Sequence, residues 1–222
     1  MTSFTKISLA VALTAIAASD AAAQWNVARF GDTRSRVYAT GGLDPAFVTA
    51  AGAARTVAPF GRQLQLTGEA GVAAAKLDAN DFRVRLGAQG SLARWRSVHL
   101  TGSATFVTRG TENAVYRGLN FGADVGGTVG VYRRRWFGGT ELGFDKAIVT
   151  HISHSDWYRE NVYAGAKDGW YIATGGTYRY GAIGGISLGR AEVMARGGWL
   201  RTERLKALTP SVYAGVGVGF GF

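Results

Sequence analysis

The stretch THISHSDWYRE, residues 150–160, gathers the side chains best suited to chemistry. His151, His154 and Asp156 are all metal-ligand types, yet their spacing fits no established ligand pattern, and no helix is evident to align them. No metal or other cofactor is therefore expected. The same stretch also holds His151, Ser153 and Glu160. The plainer reading is a polar, solvated loop in which His and Ser simply suit water. Motifs this short arise often by chance, and the plainer reading is preferred. The rest of the chain offers no cysteine, no phosphate-cradling glycine loop and no other catalytic cluster.

Any such loop has to be held by the elements around it, and these read as strands. The chain closes on YAGVGVGFGF, where Val212, Ala214, Val216, Val218, Phe220 and Phe222 alternate with Tyr213 and four glycines. A period of two puts successive side chains on opposite faces. One face is apolar and the other is nearly bare, which calls for an apolar solvent outside and a crowded interior. The pattern recurs. Leu119, Phe121, Ala123, Val125, Val129 and Val131 oppose Asn120, Asp124 and Thr128, and Phe82, Val84, Leu86 and Ala88 oppose Arg83, Arg85 and Gln89. Repeated alternating segments of ten residues or more, separated by turns, are the mark of an antiparallel transmembrane β-barrel.

Strands are predicted at 34–43, 46–58, 63–76, 82–93, 97–109, 118–132, 136–150, 169–188, 191–203 and 211–222, giving an all-β barrel of about ten strands. Eight is possible if 34–58 is not a full hairpin. Short links fall at 59–62, 94–96, 133–135 and 189–190, and longer or more polar ones at 77–81, 110–117, 151–168 and 204–210. Bacterial barrels have short periplasmic turns, longer outer loops and an even strand number.

The first residues say where the chain goes. Lys6 precedes the apolar run ISLAVALTAIAA, and SDAAA leads to Gln24. That layout matches a cleavable signal peptide over 1–23, and the run is short of the ~20 residues a spanning helix needs. A short periplasmic segment, 24–33, then precedes the barrel at 34–222. The absence of cysteine fits a barrel closed by backbone hydrogen bonds. The formal charge is +10. Nucleic acid is not expected as its partner, since no binding motif is visible; lipopolysaccharide phosphates and outer-membrane lipids are.

Aromatic side chains gather at membrane interfaces. Trp95, Tyr132 and Trp136 lie beside short turns and Tyr116, Trp170 and Trp199 toward the longer loops, which suggests two belts. With the apolar face outward, Glu69, Asp124, Glu141, Asp145 and Glu192 point inward together with Arg83, Arg85, Arg179 and Arg196. Charges of both signs in a confined space pair, because an unpaired buried charge is costly. Barrels near eight strands are filled by side chains, whereas open channels belong to barrels near sixteen. A side-chain-filled lumen is favoured, although inward glycines leave room for water or a narrow passage.

Two resemblances bear on class. Gly217, Phe220 and Phe222 resemble the C-terminal signal of bacterial outer-membrane β-barrels, in which a glycine and two hydrophobic or aromatic positions are recognised by the barrel-assembly machinery. Gly215 stands where that family often has a polar residue. His151 and Ser153, with Glu160, resemble the His-x-Ser of outer-membrane lipid A deacylases, though the distance to Glu160 and the place in the chain depart from that family. The first resemblance implies an integral outer-membrane protein of a Gram-negative bacterium. Three functions compete: a non-enzymatic structural or surface-interaction protein, a narrow porin-like channel, and a lipid A-modifying hydrolase using the 151–160 loop. The first is favoured.

Overall fold

A computed structural model describes residues 24–44, 46–73, 80–173, 175–202 and 211–222. The predicted signal peptide and much of the loops predicted at 77–81 and 204–210 lie outside the described residues. The strands are β1 (Ser35–Asp44), β2 (Ala46–Val57), β3 (Leu64–Ala73), β4 (Phe82–Trp95), β5 (Val98–Glu112), β6 (Tyr116–Tyr132), β7 (Trp136–His154), β8 (Gly169–Ile172), β9 (Thr177–Leu188), β10 (Ala191–Thr202) and β11 (Ser211–Gly221), with one short helix, α1 (Asp156–Asn161), between β7 and β8.

Every pairing is antiparallel, and the sheet closes on itself. Neighbours in sequence pair from β1 to β7, β7 pairs with β9, and β9 to β11 follow in order. The terminal strand returns to the first: Arg36 faces Gly221 and Leu43 faces Ala214. β8 pairs only with the upper part of β7, so the ring holds ten strands. The hairpin 34–58 is therefore complete, and ten strands rather than eight is correct. Closure removes the free edges that a sheet of this length would otherwise expose.

Strand ends differ from the predicted spans where strands rise above the barrel. β5, β6 and β7 have 15, 17 and 19 residues, against the ~9–11 needed to cross a bilayer. Only 113–115 separate β5 from β6, so most of the predicted 110–117 loop is strand, as are residues 151–154 of the predicted 151–168 loop. The predicted strand 169–188 is broken into β8 and β9, with Gly175 in the break at a φ of 90°. On the opposite rim the connections are tight turns. Arg96 (φ 55°) and Gly189 (φ 60°) take the left-handed conformation these turns require.

A β-bulge at Ile148 changes which residues face in. Ala147 pairs with Gly122 and Val149 with Phe121, leaving Ile148 as the extra residue. Below it the odd positions Glu141, Asp145 and Ala147 are buried; above it the even positions Thr150 and Ile152 are. A bulge inserts one residue into a period of two, so the facing inverts.

The segment 24–33 leads into the barrel rather than standing apart from it. Gln24, Trp25, Asn26, Val27 and Phe30 are buried inside the short-turn end of the barrel, and 27–29 form one 3-10 turn capped by the Asn26 side chain. Burying apolar rings such as those of Trp25 and Phe30 is worth ~1.5–3 kcal/mol each. The bare face of β11 receives Trp25 and, below it, Thr33. A methyl group on Gly219 would lie 2.9 Å from the Trp25 ring, and one on Gly221 would lie 2.8 Å from Thr33. The alternation of YAGVGVGFGF thus leaves apolar side chains outward and, at its end, a groove inward for the start of the chain.

Candidate functional site

The lumen is built in three layers of paired polar groups. At the short-turn end, Glu192 is fully buried and is the common acceptor. Its oxygens receive the Asn26 backbone N–H (2.8 Å), an Arg36 guanidinium nitrogen (3.2 Å) and the Ser187 hydroxyl (3.3 Å). Trp25 N–H donates to Gln89 Oε1 and Gln89 Nε2 donates back to Trp25 O, each at 3.2 Å. Thr128 Oγ1 donates to Gln24 Oε1 at 2.5 Å, and the Arg36 guanidinium lies 4.7 Å from the Trp25 ring centre. A buried backbone needs such partners, because in a barrel interior no strand ladder remains free to serve it.

The middle layer carries most of the charge. Arg179 reaches Asp124 through both terminal nitrogens, at 3.3 and 3.2 Å. Arg85 spans the same carboxylate (3.7 Å) and Glu69 (3.6 Å). Beside them Arg196 pairs with Glu141, which also accepts the Tyr213 hydroxyl at 2.5 Å. The planar guanidinium fork matches a carboxylate with two bonds at once, and arginine keeps its charge where lysine would shed it. Gly143 leaves the space into which the Arg179 guanidinium is laid. In the upper layer Arg109 pairs with Asp145 and donates to Asn120 (3.4 Å), which donates to Thr150 Oγ1 (2.8 Å). Arg83, on the same strand face as Arg85, is half-buried.

Arg109 and Arg36 belong to this interior beside the residues that alternation singled out. Arg109 lies at the end of the predicted strand 97–109, and the strand's parity with Thr101 and Thr105 marks it as inward. Beside this layer Glu69, Met194, Arg196 and Tyr213 border a small cavity of ≈ 40 Å³.

The outer loop is held by a different cluster. Asp168 accepts the His154 backbone N–H (2.8 Å), lies 3.2 Å from His154 Nδ1 and accepts Arg159 Nη2 (2.6 Å). Ser155 caps α1 by accepting the Tyr158 N–H (3.2 Å) and donates to Ala114 O (2.7 Å). The backbone N–H of His154, and then the His154 ring and Arg159, hold the Asp168 carboxyl down to about 2.

His151 and Ser153 stand on strand β7 rather than in a loop. They occupy the face opposite buried Thr150 and Ile152, and the His151 ring meets the edge of Trp170 at 5.0 Å. Glu160 lies exposed on α1. Among the described residues no hydrogen bond joins His151, Ser153 and Glu160, and no group of three metal-ligating side chains forms, so His151, His154 and Asp156 do not converge.

The aromatic side chains divide. Trp95, Trp136, Trp170 and Trp199 are exposed on the outer wall. Tyr116 and Tyr132 are not; both are buried inside the barrel, which corrects their assignment to the interface. Parity is the reason, since even positions of β6 face in from Tyr116 through Asn120, Asp124 and Thr128 to Tyr132. That signal was available in the alternation, but nearness to the turns pointed the other way. Gly217 faces in against Met194, while Phe220 and Phe222 are exposed at the outer wall.

No protein-family profile matches the chain, and no curated protein sequence matches it. Among solved structures, the crystal structure of Neisserial surface protein A (NspA) is similar at 12% identity with a TM-score of 0.33, over 86% of this chain and 98% of that one.

Proposed function

We propose that this chain is an integral outer-membrane β-barrel of a Gram-negative bacterium, non-enzymatic, with a sealed lumen and a structural or surface-interaction role. The observation that carries the reading is the inversion of an ordinary soluble protein. Val125, Leu142, Val216 and Val218 are exposed around the outside while Arg85, Arg179, Asp124 and Glu192 are buried within. An apolar outer band with a polar interior suits a bilayer and no aqueous compartment. The interior pairs and the segment 24–30 support a closed lumen, and the exposed, braced loop around α1 supports a surface role. Phe220 and Phe222 on the outer wall are compatible with reading by the barrel-assembly machinery, and outer-membrane lipids would surround the band.

Outer-membrane fractionation with a heat-modifiable gel shift tests the location, since a closed hydrogen-bonded barrel resists detergent until heated. Recovery as a soluble periplasmic protein would end the reading. A lipid A mass assay on membranes with and without the protein tests the non-enzymatic part; loss of an acyl chain dependent on His151 or Ser153 would replace it with the hydrolase.

A further inference from the structure

The exposed charge is divided unequally between the two ends of the barrel. Each of the four short connections presents exposed arginine: Arg62 in the first, Arg94 and Arg96 in the second, Arg133 to Arg135 in the third and Arg190 in the fourth. Arg34 adds to them at the foot of β1. Among the described residues Asp32 is the exposed side-chain carboxylate at this end, and Arg29 (3.5 Å) and Arg134 (3.0 Å) already hold it. The opposite end is mixed, with Glu112 beside Arg117 and with Asp156 and Asp168 around Arg159.

Two further observations give the kind of ligand. The described lysines, Lys146 and Lys167, both lie away from this rim, so its cations are arginines. The guanidinium fork binds phosphate oxygens in pairs, which an ammonium does not. The arginines also sit where the apolar wall ends. Arg96 lies 5.4 Å from the ring centre of exposed Trp95, and Arg133 lies 5.8 Å from that of exposed Trp136. Leu92 and Leu188, at the same level, are exposed too. An aromatic at the headgroup level with a cation beside it meets lipid phosphate at the boundary, rather than a partner deeper in the aqueous space.

We infer that the short-turn rim is a binding collar for anionic glycerophospholipid headgroups of the adjoining leaflet. This rests on the membrane-barrel reading proposed above, in which short turns face the periplasm. It reassigns the basic charge, because lipopolysaccharide belongs to the leaflet at the other end. Each guanidinium near an anionic surface adds to the attraction, which salt screens. A ring of them enriches anionic lipid around this rim, orienting the barrel and fixing its depth.

The test uses purified barrel in phosphatidylcholine vesicles containing a minor fraction of phosphatidylglycerol, extracted with surrounding lipid so that the lipid ratio can be measured. Wild type is expected to enrich phosphatidylglycerol at least about twofold over bulk at low salt, and to lose the enrichment at high salt. The variant R94Q/R96Q/R133Q/R135Q/R190Q should fall to the bulk ratio, the smaller R133Q/R135Q should fall part of the way, and the opposite-end variant R117Q/K167Q should keep the enrichment. A heat-modifiable gel in pure phosphatidylcholine establishes that each variant is folded. Equal enrichment in wild type and the two short-turn variants, or its loss in R117Q/K167Q, overturns the collar. Abolition by inorganic phosphate, but not by chloride of equal ionic strength, would show a general phosphate site instead of a lipid one. Retention on purified peptidoglycan without lipid enrichment would reassign the rim to the cell wall. Failure of wild type to insert into any vesicle overturns the membrane reading and the collar with it, whereas absent enrichment in an inserted barrel overturns the collar alone.

Discussion

Arg179 and Asp124 meet through two nitrogens and two oxygens, at 3.3 and 3.2 Å, although 55 positions separate them in the chain. Asp124 sits on β6 and Arg179 on β9, so the pair crosses the lumen over β7 rather than joining neighbouring strands. Arg85, from β4, reaches the same carboxylate. One acid thus ties three strands that share no backbone pairing with one another.

Asp124→Asn is expected to destabilise the barrel by ~3–5 kcal/mol, since it removes the carboxylate charge that two buried guanidiniums share. Replacing Asp124 and Arg179 together, with Leu and Met, should recover a substantial part, because neither charge is then stranded. Urea unfolding in vesicles, read as a double-mutant cycle, measures both. A loss within ~0.5 kcal/mol for Asp124→Asn, the scale of a neutral surface change, would mean that water reaches the layer and screens it.

The barrel itself was legible because period two, apolar out and polar in, is the one pattern that satisfies both a lipid exterior and a crowded interior. Asp124, Glu141 and Glu192 follow from it directly. What escaped lies where the period breaks or where a short segment is placed by distant groups. The Ile148 bulge inserts a residue that no composition signal marks, so His151 and Ser153, carried on a strand that runs on to His154, face out rather than in. Segment 24–30 reads as a short stretch ahead of the barrel, because its partners Gln89, Thr128 and Glu192 are scattered over the chain and only closure assembles them. The clue was the bare face of β11: glycines at alternate positions leave a groove, and a groove implies something that fills it.

That groove gives the second prediction. Trp25→Ala should cost ~3–5 kcal/mol, the usual penalty for emptying a buried aromatic site, and Gly219→Val should cost a comparable amount because its side chain would enter the Trp25 ring. Their effects should be far from additive, since each removes the same contact. Indole emission of the wild type against Trp25→Phe isolates this ring, and strong quenching by aqueous iodide would refute its burial.

The loop at the outer end should respond to acid. The Asp168 carboxyl is held at about 2 in the folded chain against an ordinary 3.8. A depressed folded value means that its contribution is fully present above pH ~4 and is lost as pH falls toward 2. Proteolysis of the 155–168 segment by an acid-active protease should therefore rise between pH 4 and pH 2, while Asp168→Asn should be cut readily at both. A wild-type cleavage rate that is flat across that window would show that the His154 and Arg159 contacts do not brace the loop.

The layered lumen makes a last prediction about conductance. Wild type should give no steady current in a planar bilayer, and removal of residues 24–30 alone should leave it silent. Deleting the segment empties the short-turn end, but the Asp124–Arg179 and Glu141–Arg196 pairs still span the middle. Adding Arg179→Ala and Arg196→Ala to the deletion withdraws two of the long side chains that cross the lumen and opens Asp124 and Glu141 to entering water. A small cation-selective current is then expected, with the sign set by the carboxylates that remain. Current through the deletion alone would place the seal at Trp25 rather than in the charged layer. A large, stable current through the unmodified barrel would refute closure altogether and leave the porin-like alternative standing.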